Sequence, residues 1–320
     1  MQHDALLVSR DHMKDNTVSN SALALAYFRG YHAANDDPTI FDDSRANGLF
    51  SEQEHKFFAN RAAPNLLVVA LYDAAFALTW PNKATIRTYV MQQVSPLSLG
   101  VSRARYTEDS LDQALRGGVR QYVILGAGLD TFAFRRPELK GQLEVFEVDH
   151  PATQASKRQR IAQAGWTQPD HLHFVPLDFR REGLAAALTR SSFDRQAPSF
   201  FSWLGCTYYL TVEDVFATLG AIAEIAPAGS TVVFDYLSSE AFPIEKSTKR
   251  LRFAARYNRS HGEPMISGLD PSTLAADVDR SGFRLHESLS PAQIESRFFQ
   301  GRSDNYHAYD HMHFATAVVK

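Results

Sequence analysis

The sequence predicts an α/β fold: a Rossmann-like, doubly wound sheet of seven strands, mostly parallel, with an antiparallel last strand. From Gln121 onward, short β-branched and aromatic runs alternate with helical patterns, as expected for parallel strands joined by crossover helices. One crossover has sharp boundaries, because Thr211 and Asp214 have capping-box spacing and Pro227 and Gly229 follow the helical pattern. A chain of 320 residues, 44% hydrophobic, is long enough to bury such a core.

The N-terminal part of the sequence predicts helices. Residues 1–20 are polar and are predicted to form a mobile leader, and a helix over 21–34 has Asn20 or Ser19 as its N-cap. The most apolar run, 66–80, is shorter than the roughly 20 residues that a membrane span needs and is predicted to be a buried helix.

The strands follow in order along the rest of the chain. Asp270-Pro271 is predicted to begin a helix that ends at Gly282, and Ser290-Pro291 to begin another that ends at Gly301. The predicted strands are 122–125, 143–148, 172–176, 199–203, 231–236, 283–288 and 311–319.

The expected organisation is one structural domain with two covers over its site. Residues 1–115 form a helical N-terminal region, and 116–320 form the core, which carries a lid insertion at 237–269. A formal net charge of −3 gives no reason to expect nucleic acid or a membrane as partner. The single cysteine, Cys206, and the lack of a secretory pattern predict a cytoplasmic protein, whose oligomeric state the sequence leaves open.

The first strand ends in a glycine loop, Gly126-Ala127-Gly128-Leu129-Asp130. A dinucleotide fingerprint needs a third glycine where this chain has Thr131, so the fingerprint is broken. The two glycines allow a ligand to approach the backbone closely, and Asp130 offers an acceptor to a cationic group. A simple tight turn is the alternative.

Acids follow the next two strands. Asp149 stands at about the spacing, ~20 residues, of the carboxylate that binds ribose hydroxyls, and Asp178 beside Phe179 suits an adenine. Each of the two acids could instead cap a helix, and Glu147 could be only a buried neighbour of Asp149. With Asp130, these acids suit S-adenosylmethionine, a sulfonium with an ammonium group and an adenosine, better than NAD.

Two groups of basic residues allow a functional interpretation. Arg103 or Arg105, just before the first strand, could pair with the ligand's carboxylate, or both could lie on a solvated helix surface. His307, His311 and His313 invite a metal interpretation, but no matching carboxylate or cysteine spacing accompanies them, so we predict no metal.

These residues resemble the leucine carboxyl methyltransferase-like family of S-adenosylmethionine-dependent O-methyltransferases, in its bacterial branch that acts on polyketide carboxylates. The resemblance covers most of the chain and is most specific in Leu-Gly-Ala-Gly-Leu-Asp-Thr, 125–131, and Phe-Glu-Val-Asp-His-Pro, 146–151. It implies Arg103 for the methionine carboxylate, the loop from Gly126 to Asp130 for the methionine end, Asp149 for ribose, and Asp178 with Phe179 for adenine. The chain departs from the family at Phe132, where many relatives have arginine, and at Leu204, where they have glutamate.

Methyl transfer needs little acid–base machinery, since it is an in-line displacement. An ionised carboxylate acceptor needs no base, whereas a hydroxyl would, and the catalytic candidates are Tyr208, Tyr209, Tyr236 and His311, with Asp235 in addition. The three tyrosines could line the acceptor pocket or be packed aromatics. Arg252, Arg256, Arg259 and His261 could make the insertion a lid for an anionic acceptor or form an ordinary solvated face.

The sequence thus predicts a methyltransferase that modifies a small-molecule carboxylate or, less favoured, a hydroxyl. Two alternatives remain: a non-catalytic protein that binds S-adenosylmethionine or a protein partner, and an NAD-dependent oxidoreductase.

Overall fold

The computed structural model describes residues 19–61, 78–79, 82–94, 96–179 and 181–320. The predictions for 1–20 and 66–80 fall almost wholly outside these residues. The helices are α1 Asn20–Asn35, α2 Glu52–Arg61, α3 Lys83–Tyr89, α4 Leu97–Arg116, α5 Phe132–Arg135, α6 Pro151–Gln163, α7 Leu184–Thr189, α8 Val212–Ile225, α9 Lys249–Ser260, α10 Leu274–Arg280 and α11 Pro291–Phe298. The strands are β1 Gln121–Leu125, β2 Glu144–Asp149, β3 Leu172–Pro176, β4 Ser199–Trp203, β5 Thr231–Leu237, β6 Phe283–Leu289 and β7 Met312–Val319.

The strands form one sheet in the order β3-β2-β1-β4-β5-β7-β6. Strands β1 to β5 are parallel to one another, and β7 runs antiparallel to both β5 and β6. The predicted fold class is confirmed, and all seven strands lie within one residue of the predicted bounds. The strand order reverses between β1 and β4, and a ligand of such a sheet is expected beyond the carboxyl ends of these strands.

Both faces of the sheet are covered by apolar layers. Every residue of β1 and of β4 is buried, as expected for central parallel strands. On β5, Val233 and Leu237 pack on one face with residues of α1, α4 and α9, whereas Val232, Phe234 and Tyr236 pack on the other face with α8 and α10. The N-terminal helices and the 237–269 insertion therefore share one face of the core.

Local signals explain most helix boundaries. Ser19 is the N-cap of α1, accepting from the backbone N–H of Ala22 at 3.2 Å, and Thr211 caps α8 through Asp214. Ser290 and Gln293 form a capping box at α11. Among the described residues, no helix combines the length and apolar character needed to cross a membrane.

One predicted helix start is wrong. Helix α10 begins at Leu274 instead of Pro271, because the Asp270 carboxylate accepts from the backbone N–H of Ser272 at 2.8 Å and holds a separate turn. Gly282 follows its end with a φ of 90°, as predicted.

Candidate functional site

The glycine loop after β1 has the backbone that its sequence requires. Gly126 and Gly128 have φ angles of 68° and 53°, in the left-handed region that favours glycine. A Cβ atom at Gly126 would lie 2.7 Å from the sulfur of Cys206, so the position has no room for a side chain. Gly126 is nevertheless exposed, whereas its neighbours Ala127 and Gly128 are buried. Its backbone thus faces an open space at the carboxyl ends of the strands.

Asp149, the last residue of β2, holds this loop. One carboxylate oxygen accepts from the backbone N–H of Gly128 and the other from that of His150, both at 2.6 Å. Burial raises the pKa of Asp149, although these two N–H groups and the nearby cations oppose it. A carboxylate oxygen can accept more than one hydrogen bond, so each keeps capacity for a ligand hydroxyl. Asp149 is only partly buried, which leaves that capacity accessible.

Glu147 lies two residues earlier and is enclosed. Its side chain is 1% exposed and pairs with Lys157 of α6, which is equally buried. Burial raises the pKa of Glu147 to about 7, against the opposing effect of Lys157. The structure thus places this predicted cofactor-binding residue under α6, in a buried ion pair instead of at the open end.

Asp178 and Phe179 follow β3 at the same edge. The Asp178 carboxylate is half-buried and lies 4.0 Å from the His150 ring, and the Phe179 ring is about half exposed. In the sheet register, Asp149 pairs with Pro176, which brings Asp178 and Phe179 close to Asp149. The predicted ribose and adenine residues therefore lie side by side.

Arg103, from α4, enters the site from the other side. Its guanidinium is buried and pairs with Asp235 of β5, Nη1 to Oδ2, at 2.8 Å. Burial lowers the pKa of Arg103, but Asp235 and Tyr208 raise it more, so the pKa lies above its ordinary value. The other Asp235 oxygen accepts from the backbone N–H of Gly205 at 2.6 Å. Arg105, the alternative, is half exposed and pairs with Asp109.

Gly205 makes room for this guanidinium. Its φ is 72°, and a Cβ atom there would lie 2.8 Å from Nη2 of Arg103. The thiol of the neighbouring Cys206 is close to acids from both sides of the site. Burial chiefly, then Asp235 and Asp149, raise the pKa of this thiol to about 12. Sequence reasoning missed the proximity of Cys206 to the glycine loop, since nothing in a lone cysteine indicates it.

The candidate catalytic residues divide between two places. Tyr208 and Tyr209 lie in the loop after β4; burial raises the pKa of both, and Arg103 opposes the shift at Tyr208. Tyr236 lies in the core on the opposite face from Asp235, its hydroxyl bonded to Ser288 at 3.1 Å. Because side chains alternate between the two faces of β5, Tyr236 packs in the core on the face away from Asp235. We therefore no longer regard it as a catalytic candidate.

The C-terminal histidines have different partners. His311 has a φ of 60° in a turn, and its carbonyl accepts from the backbone N–H of Ser238. His313 stacks on Tyr236, and His307 pairs with Glu295. Within the described ranges, no group of three or more potential ligands could hold a metal ion.

A buried network of charged residues lies against the glycine loop. Asp43, whose side chain is 1% exposed, pairs with Arg29 of α1 at 2.8 Å and with Arg135 of α5 at 3.3 Å, and it accepts from the Thr131 hydroxyl. Arg135 also pairs with Glu108 of α4. We call these five residues the Asp43 network. Sequence reasoning missed it, because its members come from four distant segments.

The loop is bound to this network through its own backbone. Arg29 donates to the carbonyl of Leu129 at 3.0 Å, and a Cβ atom at Gly128 would lie 3.1 Å from that of Ala22 in α1. Helix α1 therefore lies directly against the glycine loop.

The insertion contacts the loop after β4. The backbone N–H of Ile266 donates to the carbonyl of Tyr208 at 2.8 Å, and Asn258 donates to the Tyr209 hydroxyl at 3.0 Å. The exposed Arg256 and Arg259 of α9 follow the solvated-face pattern, and Arg252 donates to the carbonyl of Ser247.

A separate cavity of about 400 Å³ lies at the opposite end of the sheet, near the start of β3. It is lined by Ala133, Pro137, Lys140, Thr167, Gln168, Pro169, Asp170 and His171. None of these residues belongs to the predicted site, so the cavity has no part in it.

Comparison with known proteins relates the chain to a family of methyltransferases. A model of the family described as leucine carboxyl methyltransferase matches residues 22–223. A Bacillus subtilis protein named "Putative S-adenosyl-L-methionine-dependent methyltransferase YktD" is 38% identical over 310 residues, which cover 96% of this chain and 100% of that protein. A Mycolicibacterium smegmatis protein with a similar name is 31% identical over 251 residues, covering 77% of this chain and 76% of its own.

Two solved structures share the fold. One is a DUF574 family protein from Streptomyces avermitilis, which covers 92% of this chain and 97% of its own length with a TM-score of 0.51 and 14% identity. The other comes from Thermobifida fusca; it covers 99% of this chain and 97% of its own, with the same TM-score and identity.

Proposed function

The chain belongs to the leucine carboxyl methyltransferase family and is an S-adenosylmethionine-dependent methyltransferase, and we propose that it methylates a carboxylate of a small molecule. The observation that carries the cofactor assignment is Asp149, a half-buried carboxylate that closes the glycine loop and retains acceptor capacity toward the cleft. When bound, S-adenosylmethionine supplies an electrophilic methyl group.

The residues around the cleft fit the parts of this cofactor. We assign the ribose hydroxyls to Asp149, and the adenine to Asp178 and Phe179, which lie beside it. Gly126 exposes backbone where the methionine end passes, flanked by Ala127, Gly128 and Asp130, and Arg103 takes the α-carboxylate. Glu147 contributes indirectly, because its pair with Lys157 fixes the strand that presents Asp149.

Arg103 is suited to this assignment by its surroundings. Asp235 and Gly205 hold its guanidinium at the ends of β4 and β5, so it is oriented before a ligand binds. A guanidinium group has five N–H donors, so Arg103 retains donors for a ligand carboxylate while it is paired with Asp235.

A carboxylate acceptor is supported by the pKa values of the tyrosines and the thiol in the described part of the site. Tyr208, Tyr209 and Cys206 all have pKa values raised by burial, so they remain protonated at neutral pH and cannot accept a proton readily. A carboxylate is already ionised. The resemblance to the polyketide-type branch suggests the substrate class, and we propose that the N-terminal region 1–115 and the insertion 237–269 cover a core formed by 116–320.

Calorimetric titration of the purified protein with S-adenosylmethionine, S-adenosylhomocysteine and NAD tests the proposal. Mass spectrometry should first establish that no ligand was carried through purification. We expect both adenosyl compounds to bind and NAD not to bind; binding of NAD alone would overturn the cofactor assignment. Methyl transfer to a carboxylate panel, absent from a matched hydroxyl panel, then tests the acceptor, and binding without turnover on either would indicate a non-catalytic protein.

A further inference from the structure

The methionine end of the proposed cofactor carries two opposite charges. We have assigned Arg103 to the α-carboxylate. The α-ammonium group needs a hydrogen-bond acceptor of its own, and a carboxylate is the strongest one. Leu204 stands where many members of the family that the chain resembles have glutamate, so this position supplies no carboxylate in this chain.

Three acids near the cleft already have other partners. The charge of Asp235 is balanced by its ion pair with Arg103, and its other oxygen accepts from the backbone N–H of Gly205. Asp149 holds the glycine loop and faces the ribose position. Asp130, at the end of the glycine loop, has one oxygen that accepts from the backbone N–H of Phe132 at 2.6 Å.

Glu263 remains, from the insertion after α9. One of its oxygens, Oε1, accepts from the hydroxyl of Ser19 at 2.7 Å, and in the described part of the chain Oε2 makes no hydrogen bond. The side chain is half-buried, so a small cation can reach it. The backbone N–H of Glu263 donates to the carbonyl of Asn258 at 2.9 Å, and Asn258 is itself bonded to Tyr209.

Glu263 lies near the glycine loop, because its partner Ser19 caps α1, and Ala22 of that helix packs against Gly128. Burial raises the pKa values of Tyr209 and Cys206 most, and the negative charge of Glu263 also contributes, at Cys206 after Asp235 and Asp149. Cys206 in turn adjoins Gly126, where the methionine end passes. Glu263 thus lies close to the glycine loop, with unused acceptor capacity.

We propose that Glu263 binds the α-ammonium group of the cofactor and, together with Ser19, closes the insertion over the methionine end. This inference rests on the proposed function. The competing explanation is that Glu263 only stabilises the N-terminus of α1, where a negative charge is favourable in the absence of any ligand.

Calorimetry with two ligands separates these explanations: S-adenosylhomocysteine and its desamino analogue, which lacks only the amino group. Glu263→Gln should weaken S-adenosylhomocysteine binding about tenfold and leave affinity for the analogue unchanged. Glu245→Gln removes the same charge from an exposed position of the same insertion and should change neither affinity. Ser19→Ala removes the hydroxyl but keeps the acid, so it should preserve the discrimination between the two ligands.

Each outcome is decisive. If Glu263→Gln weakens the binding of both ligands equally, and Ser19→Ala does the same, Glu263 has a structural role and the proposal is overturned. Unchanged affinity of Glu263→Gln for both ligands would also overturn it. Thermal unfolding of each variant identifies any general loss of fold. Failure of the unsubstituted protein to bind S-adenosylhomocysteine would instead overturn the proposed function, and this proposal with it.

Discussion

The Asp43 network and the strand-end cleft are both rich in acids, yet their acids are used differently. Asp43 is surrounded by Arg29, Arg135 and the Thr131 hydroxyl and has no access to solvent. Asp149 accepts one backbone hydrogen bond at each oxygen and remains partly exposed. Charge alone therefore does not separate Asp43 from Asp149, the acid that we propose to bind ribose; partial exposure and unused acceptor capacity facing open space do.

The same contrast appears within one strand. Glu147 and Asp149 lie two residues apart on β2, and burial raises the pKa of both. Glu147 is neutralised by a buried lysine under α6, whereas Asp149 emerges at the strand end. Position along the strand thus decides which acid is available to a ligand.

The largest effect should come from breaking the network. Asp43→Asn leaves two buried guanidinium groups without their shared counter-ion, and we expect the free energy of unfolding to fall by about 3–5 kcal/mol. Urea denaturation followed by circular dichroism measures it. Asp42→Asn, at the exposed neighbouring position, is the matched control and should cost little. A loss below 1 kcal/mol for Asp43→Asn would mean that the network is not structurally essential.

A smaller effect, on binding instead of folding, should follow from changing the cleft acid. Asp149→Ala should weaken S-adenosylmethionine binding by about 1–3 kcal/mol through lost charged hydrogen bonds. Calorimetry measures the affinity, and the unfolding free energy should change less than in Asp43→Asn. Glu144→Ala, at the exposed start of the same strand, is the control. Unchanged affinity in Asp149→Ala would remove this residue from the site.

The smallest effect should come from a more exposed ion pair. Hydrogen bonds from Arg160, together with those from Ser51, lower the pKa of Glu54 to about 2, although partial burial opposes the shift. Because the pKa is lower in the folded state, the pair stabilises above about pH 4.5 and the contribution disappears as the pH falls through about 2.

Glu54→Gln should accordingly cost less than about 1 kcal/mol at neutral pH, since solvent screens the pair. The difference from the unsubstituted protein should shrink as unfolding is measured at progressively more acidic pH. A cost that is equal at pH 7 and at the acidic limit of the folded state would contradict an electrostatic origin.

The sequence predicted the strands well because each is a short apolar run bounded by turn signals. The position of β7 between β5 and β6 was not specified, since pairing between distant strands leaves no local pattern. Helix α10 began later than predicted because Asp270 has two alternatives, helix capping and a local turn, with the same sequence preference.

For the candidate site, strand ends were informative because parallel strands bring their carboxyl ends to one edge. This placed Gly126, Asp149 and Asp178 correctly at that edge, while their roles stay predictions. Glu263 was missed, since its hydrogen bond to Ser19 joins residues 244 positions apart. Tyr236 was considered because it ends a strand, but side-chain alternation turns it away from Asp235.

The place of β7 in the sheet also bears on how the chain assembles. Strand β6 pairs with β7, which is made after it, and β7 in turn supplies the second neighbour of β5. While the ribosome is still elongating the chain, β6 has no strand to pair with, whereas β1 to β5 can already form their parallel array. The half of the sheet that carries the candidate site is therefore available to fold before the other half is complete.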